Sequence, residues 1–236
     1  MQKIERVKTG IPGLDELIEG GFVRDSSILV SGGTGTGKTI FCMQFLYNGA
    51  TKYNEPGVFL TFEEDRPNLI RDASRFGWDL EKLEKEKKLI VAYEEPYNVE
   101  KFADLLEKHV FAIKAKRLVI DSTSVFGMAM ENEHEVRMKL FDLMRLLRKL
   151  KITAVFTSEI LEGSDGLSRF GVEEFVADGV LHMTLIEALS RRSLTVRKMR
   201  GTAHTFKPQV YDIDKNGFTL KDGSQKKSGV LGLGFK

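Results

Sequence analysis

The chain has 236 residues, 36 lysines and arginines against 34 aspartates and glutamates, and a formal net charge of +2. That length fits one large α/β domain with a full core, and the near-balance of charge excludes a whole-molecule attraction to nucleic acid or membrane, so any basic patch must be local. The single cysteine, Cys42, excludes an intrachain disulfide. No stretch approaches the roughly 20 apolar residues of a bilayer span, and Met1 to Arg6 form no apolar leader, so a soluble, cytoplasmic protein is expected.

Val7 to Phe22 begin with turn signals, then offer a short amphipathic helix through Leu14, Leu17 and Ile18 that Gly20-Gly21 would end and that would pack against the sheet edge. Next, the apolar run Ile28-Leu29-Val30 leads into Gly32-Gly33-Thr34-Gly35-Thr36-Gly37-Lys38-Thr39 and a helical segment from Ile40 to Leu46. A strand, a glycine-rich turn and a helix starting near Gly37 make a P-loop, in which backbone N–H groups face phosphate oxygens and the helix dipole adds positive potential. Gly33, Thr34, Gly35, Thr36, Gly37, Lys38, Thr39 and Ile40 are the candidate ATP-binding residues. Lys38 is placed to reach the β- and γ-phosphates, and the Thr39 hydroxyl to sit on Mg²⁺, which takes few protein ligands. Behind the loop, Cys42 reads as a small core residue.

Gly49 is the expected stop of that helix, and Glu55-Pro56-Gly57 turns the chain into a strand over Val58 to Phe62. Glu63-Glu64 follow at the tip of that strand, expected beside the P-loop strand. Arg66 to Phe76 and Leu80 to Lys87 read as surface helices, and the charge run Glu84 to Lys88 as a solvated face. A strand at Leu89 to Val91 and a helix over Val99 to Lys114 precede Arg117-Leu118-Val119-Ile120-Asp121-Ser122. That apolar strand ends in Asp121, whose carboxylate can hold the Mg²⁺ hydration shell opposite the P-loop. Glu135 to Leu150 has the stripe of an amphipathic helix, and Ile152 to Thr157 is another short strand. Such alternation implies a mostly parallel central sheet flanked by helices, with ligands at the carboxyl ends of the strands.

Beyond Ser158 the pattern changes to an irregular loop at Gly163 to Gly171 and strands at Val180 to Ile186, Ser193 to Met199, Gln209 to Ile213 and Phe218 to Leu220. These predict a C-terminal antiparallel extension of the same sheet. Residues 1–220 thus form the domain, and the glycine- and lysine-rich stretch 221–236 is expected to be a mobile tail. There is no internal repeat.

Hydrolysis of ATP needs a group to orient or deprotonate an in-line water, and Glu63-Glu64 can supply it; only one of two successive residues should face the γ-phosphate. The competing reading makes both acids the opening of the helix at Asp65-Arg66-Pro67. Arg191 to Arg200 hold five cations in ten residues. On a strand Lys198 and Arg200 would share a face about 7 Å apart, which suits two cations on one triphosphate. A solvated basic strand and a DNA groove are the other readings of that segment.

Together these segments resemble the RecA superfamily, and within it KaiC and the single-domain KaiC-like proteins. The signatures are Thr9-Gly10-Ile11-Pro12-Gly13-Leu14-Asp15, the P-loop, Thr61-Phe62-Glu63-Glu64, Val119-Ile120-Asp121-Ser122, Gly171 to Asp178 and Lys198-Met199-Arg200-Gly201-Thr202-Ala203-His204. The match is closer to the first, ATP-hydrolysing KaiC domain than to the second. Where the second carries adjacent Ser and Thr phosphoacceptors, this chain has Glu174-Phe175, which implies no autokinase cycle of that type. The resemblance implies Glu63 as the base, Glu64 as its supporting carboxylate, and Lys198, Arg200 and His204 beside the nucleotide of a neighbouring subunit. It further implies an ATPase assembled as a ring, a hexamer, whose slow hydrolysis changes binding of an as yet unidentified protein partner. A RecA-like DNA-binding ATPase and a nucleotide-dependent assembly module with negligible turnover are the alternatives.

Overall fold

A computed structural model of the protein describes residues 4–95, 102–125, 130 and 132–221. Its centre is a nine-stranded sheet. The strands are β3 (Ser27–Gly32), β4 (Gly57–Thr61), β5 (Leu89–Tyr93), β6 (Arg117–Asp121), β7 (Thr153–Glu159), β8 (Gly179–Ile186), β9 (Arg191–Met199), β10 (Gln209–Asp214) and β11 (Gly217–Leu220). They lie in the order β11-β10-β9-β8-β3-β7-β6-β4-β5. β3, β4 and β6 are buried at every position, which is why their sequences run apolar without alternation.

Two expectations need correction. β8 pairs parallel with β3, so the antiparallel extension begins one strand later, at β9. β4 does not adjoin the P-loop strand β3: β7 and β6 lie between them, and β4 instead neighbours the strand that ends in Asp121.

Helices cover both faces. One core unites α1 (Leu14–Leu17), α2 (Lys38–Lys52), α3 (Arg66–Ser74) and α4 (Leu80–Lys85) with the sheet and with Tyr211, Phe218 and Leu220 of the extension. The other core holds α5 (Phe102–Ile113), α6 (Glu133–Leu150) and α7 (Glu173–Val176). As expected, α1 packs on a sheet edge: an added Cβ at Gly13 would stand 2.9 Å from Cβ of Leu220 on β11. The sequence did not signal the two-residue strands β1 (Arg6–Val7) and β2 (Phe22–Val23), which pair antiparallel around α1.

Gly49 does not stop α2, which runs on to Lys52. Its role is spatial. A Cβ there would lie 2.4 Å from Cδ of Arg117, a fully buried arginine whose guanidinium bonds Glu55, the Phe45 carbonyl and the Lys8 carbonyl. The charge run that begins in the last turn of α4 is also not idle, because Glu84 accepts the Val91 N–H from the outermost strand β5 at 3.2 Å. That carboxylate occupies one donor of an edge strand. At the other end Lys221, assigned to the tail, still donates its N–H to Val210 at 2.8 Å; the rest of that stretch lies outside the described residues.

Candidate functional site

The P-loop joins β3 to α2 at the carboxyl end of the sheet. Gly35 and Gly37 take φ of 76° and 90°, a region that L side chains rarely enter. At Gly33 and Gly35 a Cβ would meet nothing within 4 Å, so these positions open outward and leave backbone exposed to a ligand. The Lys38 ammonium folds back over the loop onto the Gly32 and Gly33 carbonyls at 2.9 and 3.2 Å. Thr36 ties the loop internally to Gly33.

Two residues that sequence reasoning missed brace the loop from the extension. Tyr211 on β10 donates its hydroxyl to the Thr36 carbonyl at 2.6 Å, and Arg192 on β9 donates Nε to the Gly35 carbonyl at 3.2 Å. Burial raises the Tyr211 phenol, keeping it a donor. Beside this brace a cleft of about 550 Å³ is lined by Gly35, Gly37, Ile40, Phe76, Ile213 and Asp214.

Thr39, opening α2, meets Asp121, ending β6: Thr39 Oγ1 donates to Asp121 Oδ2 at 2.8 Å, and Thr157 from the intervening β7 donates to the other oxygen. Burial raises the Asp121 carboxyl, while the two hydroxyls and the Lys38 charge pull it down. A hydroxyl and a carboxylate oxygen facing one another next to a lysine are hard donors of the kind that hold Mg²⁺. The pair therefore fits the ion, and among the described residues no cluster of three or more His, Cys, Asp or Glu offers a rival metal site.

Glu63 and Glu64 lie in a turn after β4, where both N–H groups donate to Thr61 Oγ1 at 3.2 Å. Glu63 turns toward Asp121, and its Oε1 accepts the Ser122 hydroxyl. Although Glu63 is exposed at its rim, desolvation of the carboxyl raises its pKa; the Ser122 bond and Lys38 oppose, and Asp121 and Glu159 add to the rise. Glu64 is also raised, by burial first and then by Asp72 and Asp121. The cap of α3 is neither of them but Asp65, which accepts the Asn68 N–H at 3.0 Å. The helix-opening role thus falls to Asp65, and Glu63 is left facing the site. Glu159, paired with Gly32 at the end of β7, was hidden from the sequence because its strand was expected to stop at Thr157.

Cys42 is fully buried, and burial pushes its thiol well up, as suits a core residue.

The expected geometry of Lys198 and Arg200 on one strand face is not found. The β8–β9 ladder shifts register at Val180/Leu181, and β9 ends at Met199, leaving Arg200 in a turn. Lys198 spends its three donors on the carbonyls of Glu174, Phe175 and Ala177 at 3.0, 3.3 and 2.7 Å. Arg200 faces Asp178 at 3.3 Å. Nor is β9 the sheet edge, although its pairing with β10 stops at Leu194 and leaves Thr195 to Met199 without a partner on that side among the described residues. Because Asp178 N–H bonds the Ser27 carbonyl, Arg200 stands at the level of Ser27, five residues below Gly32 and about 16 Å along the strand. His204 packs edge-on against Phe206 with ring centroids 5.0 Å apart, and its buried Nδ1 has no hydrogen-bond partner among the described residues.

A mostly parallel sheet with helices on both faces, carrying a P-loop on one strand and an acidic tip two strands away, defines a RecA-like P-loop domain. Residues 7–225 match the ATPase family described as KaiC. A UPF0273 protein of Methanocaldococcus jannaschii is 38% identical over 236 residues, covering 92% of this chain and 96% of that one. The circadian clock oscillator protein KaiC of Synechococcus elongatus is 40% identical over 231 residues, which are 93% of this chain and 44% of that protein. The chain therefore spans a little under half the length of its KaiC relatives. The crystal structure of a KaiC-like protein from Pyrococcus horikoshii OT3 superposes with a TM-score of 0.86 at 43% identity, covering 93% of this chain and all of that one. The chain belongs to the KaiC family of ATPases.

Proposed function

We propose that the protein binds ATP through Gly33 to Ile40 and hydrolyses it slowly, in a homo-oligomeric ring with each nucleotide between two subunits. The carrying observation is the convergence of Lys38, the Thr39–Asp121 pair and Glu63 at one end of the sheet. Lys38 neutralises charge on the β- and γ-phosphates, and the nucleoside lies in the cleft formed with Phe76 and Ile213. Thr39 and Asp121 would hold Mg²⁺, which when bound would neutralise phosphate charge. Glu63 takes the proton of the attacking water, supported by Glu64. Ser122 occupies only Oε1 of Glu63, which leaves Oε2 to accept that proton. Arg200 stands too far along the sheet to serve its own P-loop, which supports a role toward the next subunit's nucleotide, and His204, four residues on, is assigned to the same role. Lys198 would join them only by giving up its three carbonyls. A regulatory output, through an unidentified protein partner, accords with relatives named for a circadian oscillator.

The test mixes two variants. Lys38→Ala is expected to lose most affinity for a fluorescent ATP analogue, and Arg200→Ala to bind it but not turn it over. An intersubunit site predicts that the mixture regains activity at a fraction of interfaces. A mixture as inactive as either parent rejects the ring reading, and wild-type affinity in Lys38→Ala rejects the P-loop assignment.

A further inference from the structure

We propose that Asp178 is the positioning residue for Arg200, holding its guanidinium where it serves the neighbouring nucleotide. The proposal rests on the intersubunit reading above. Asp178 follows α7 and is itself firmly held: its N–H donates to the Ser27 carbonyl at 2.8 Å, and its Oδ2 accepts Ser27 N–H at 3.0 Å and Ser27 Oγ at 2.9 Å. Its carbonyl accepts the Arg200 N–H at 3.0 Å. Only Oδ1 is left to face outward, toward Arg200 Nη1 at 3.3 Å and Arg148 Nη2 at 3.6 Å.

The asymmetry of exposure carries the argument. The Asp178 side chain is 17% exposed while those of Arg200 and Arg148 are 57% and 58% exposed, so a fixed anion sits beneath two exposed cations. An exposed ion pair adds little stability, yet here both the carboxylate and the backbone on either side of it are immobilised. What such an anchor supplies is orientation: it restricts the many rotamers of an arginine before its target arrives. Arg148, on α6, approaches the same oxygen from the helix side. Asp178 also ties Arg200 to Ser27, the first residue of the strand that carries its own subunit's P-loop.

That double attachment gives a test by location. Asp178→Asn is expected to lower kcat about ten- to a hundredfold with little change in the affinity of its own P-loop for a fluorescent ATP analogue. In mixed assemblies it should be rescued by Lys38→Ala and not by Arg200→Ala, because its defect lies on the Arg200 side. Rescue by Arg200→Ala instead would mean that Asp178 acts through Ser27 on its own P-loop, and would overturn the proposal. Unchanged kcat would overturn it too. Should Asp178→Asn fail to fold, Ser27→Ala, which removes one of the holds on Oδ2, is expected to give a few-fold defect with the same rescue pattern, and the opposite pattern or no defect again overturns it. The Lys38→Ala with Arg200→Ala mixture is the control: if it recovers while Asp178→Asn follows the wrong pattern, the fault lies with Asp178, and if it stays inactive the intersubunit reading fails and the proposal falls with it.

Discussion

At Glu63 desolvation and two nearby carboxylates raise the pKa, against the Ser122 hydroxyl and the Lys38 ammonium. A general base works deprotonated, so turnover should fall as pH drops through this raised value, placing the acid limb of kcat/KM above the ordinary carboxylate range. Glu63→Gln keeps the shape and the Ser122 contact but loses the base. We expect nucleotide binding to persist and hydrolysis to slow about 10²–10⁴-fold, with the acid limb gone from the residual rate. Phosphate release measured from pH 4 to 8 in both proteins checks this. Loss of activity in Glu64→Gln with Glu63→Gln unaffected would reverse the two roles.

Among the elements, β6 joins structure to site, with a buried arginine at its start and Asp121 at its end. Arg117 bonds Glu55 at 2.8 and 2.6 Å and lies 4.6 Å over the Phe45 ring, so α2, the turn before β4 and the N-terminal segment all meet on one guanidinium. Its removal leaves Glu55 and two carbonyls without their donor. Arg117→Ala is expected to cost about 3–5 kcal/mol, the usual cost of breaking a buried pair. For a domain of this size that lowers the melting temperature by about 6–20 °C, since each kcal/mol shifts it by about 2–4 °C. Differential scanning calorimetry decides it, and a drop under 3 °C would show that the pair is dispensable.

For the whole molecule, a net charge of +2 offers no long-range pull on DNA. Three of the five cations of Arg191 to Arg200 are moreover held internally, Arg192 on the Gly35 carbonyl, Lys198 on the carbonyls of Glu174, Phe175 and Ala177, and Arg200 on Asp178, while Arg191 and Arg197 are exposed. Single- or double-stranded DNA should leave hydrolysis unchanged within about twofold at salt near the cell's, where weak phosphate contacts are screened. A several-fold stimulation would put the DNA-dependent reading first. A head-to-tail contact closes into a ring or continues as a filament, and the expected ring follows only if the rotation closes.

The P-loop, Asp121 and the alternation of strands with helices were legible in the sequence because each depends on residues close together in the chain. A glycine turn, a strand tip and a helical stripe are local, and their periodicity survives translation into three dimensions. Strand order is not local. Nothing in Val58 to Phe62 says that two strands separate it from the P-loop, nor in Val180 to Ile186 that it joins in parallel, since pairing partners are chosen by the whole sheet. The same holds for side chains whose partners are distant in sequence. Tyr211 reaches Thr36 across 175 residues, and Glu63 reaches Ser122 across 59. Lys198 and Arg200 were read as a pair by their spacing of two, but a register shift in the ladder and the end of β9 sent one onto helix carbonyls and the other onto Asp178. The sequence by itself determined which reactive groups the chain carries and the local elements that bear them; the tertiary structure decided which groups meet, because burial and hydrogen-bond satisfaction are settled only once every strand and helix has its neighbours.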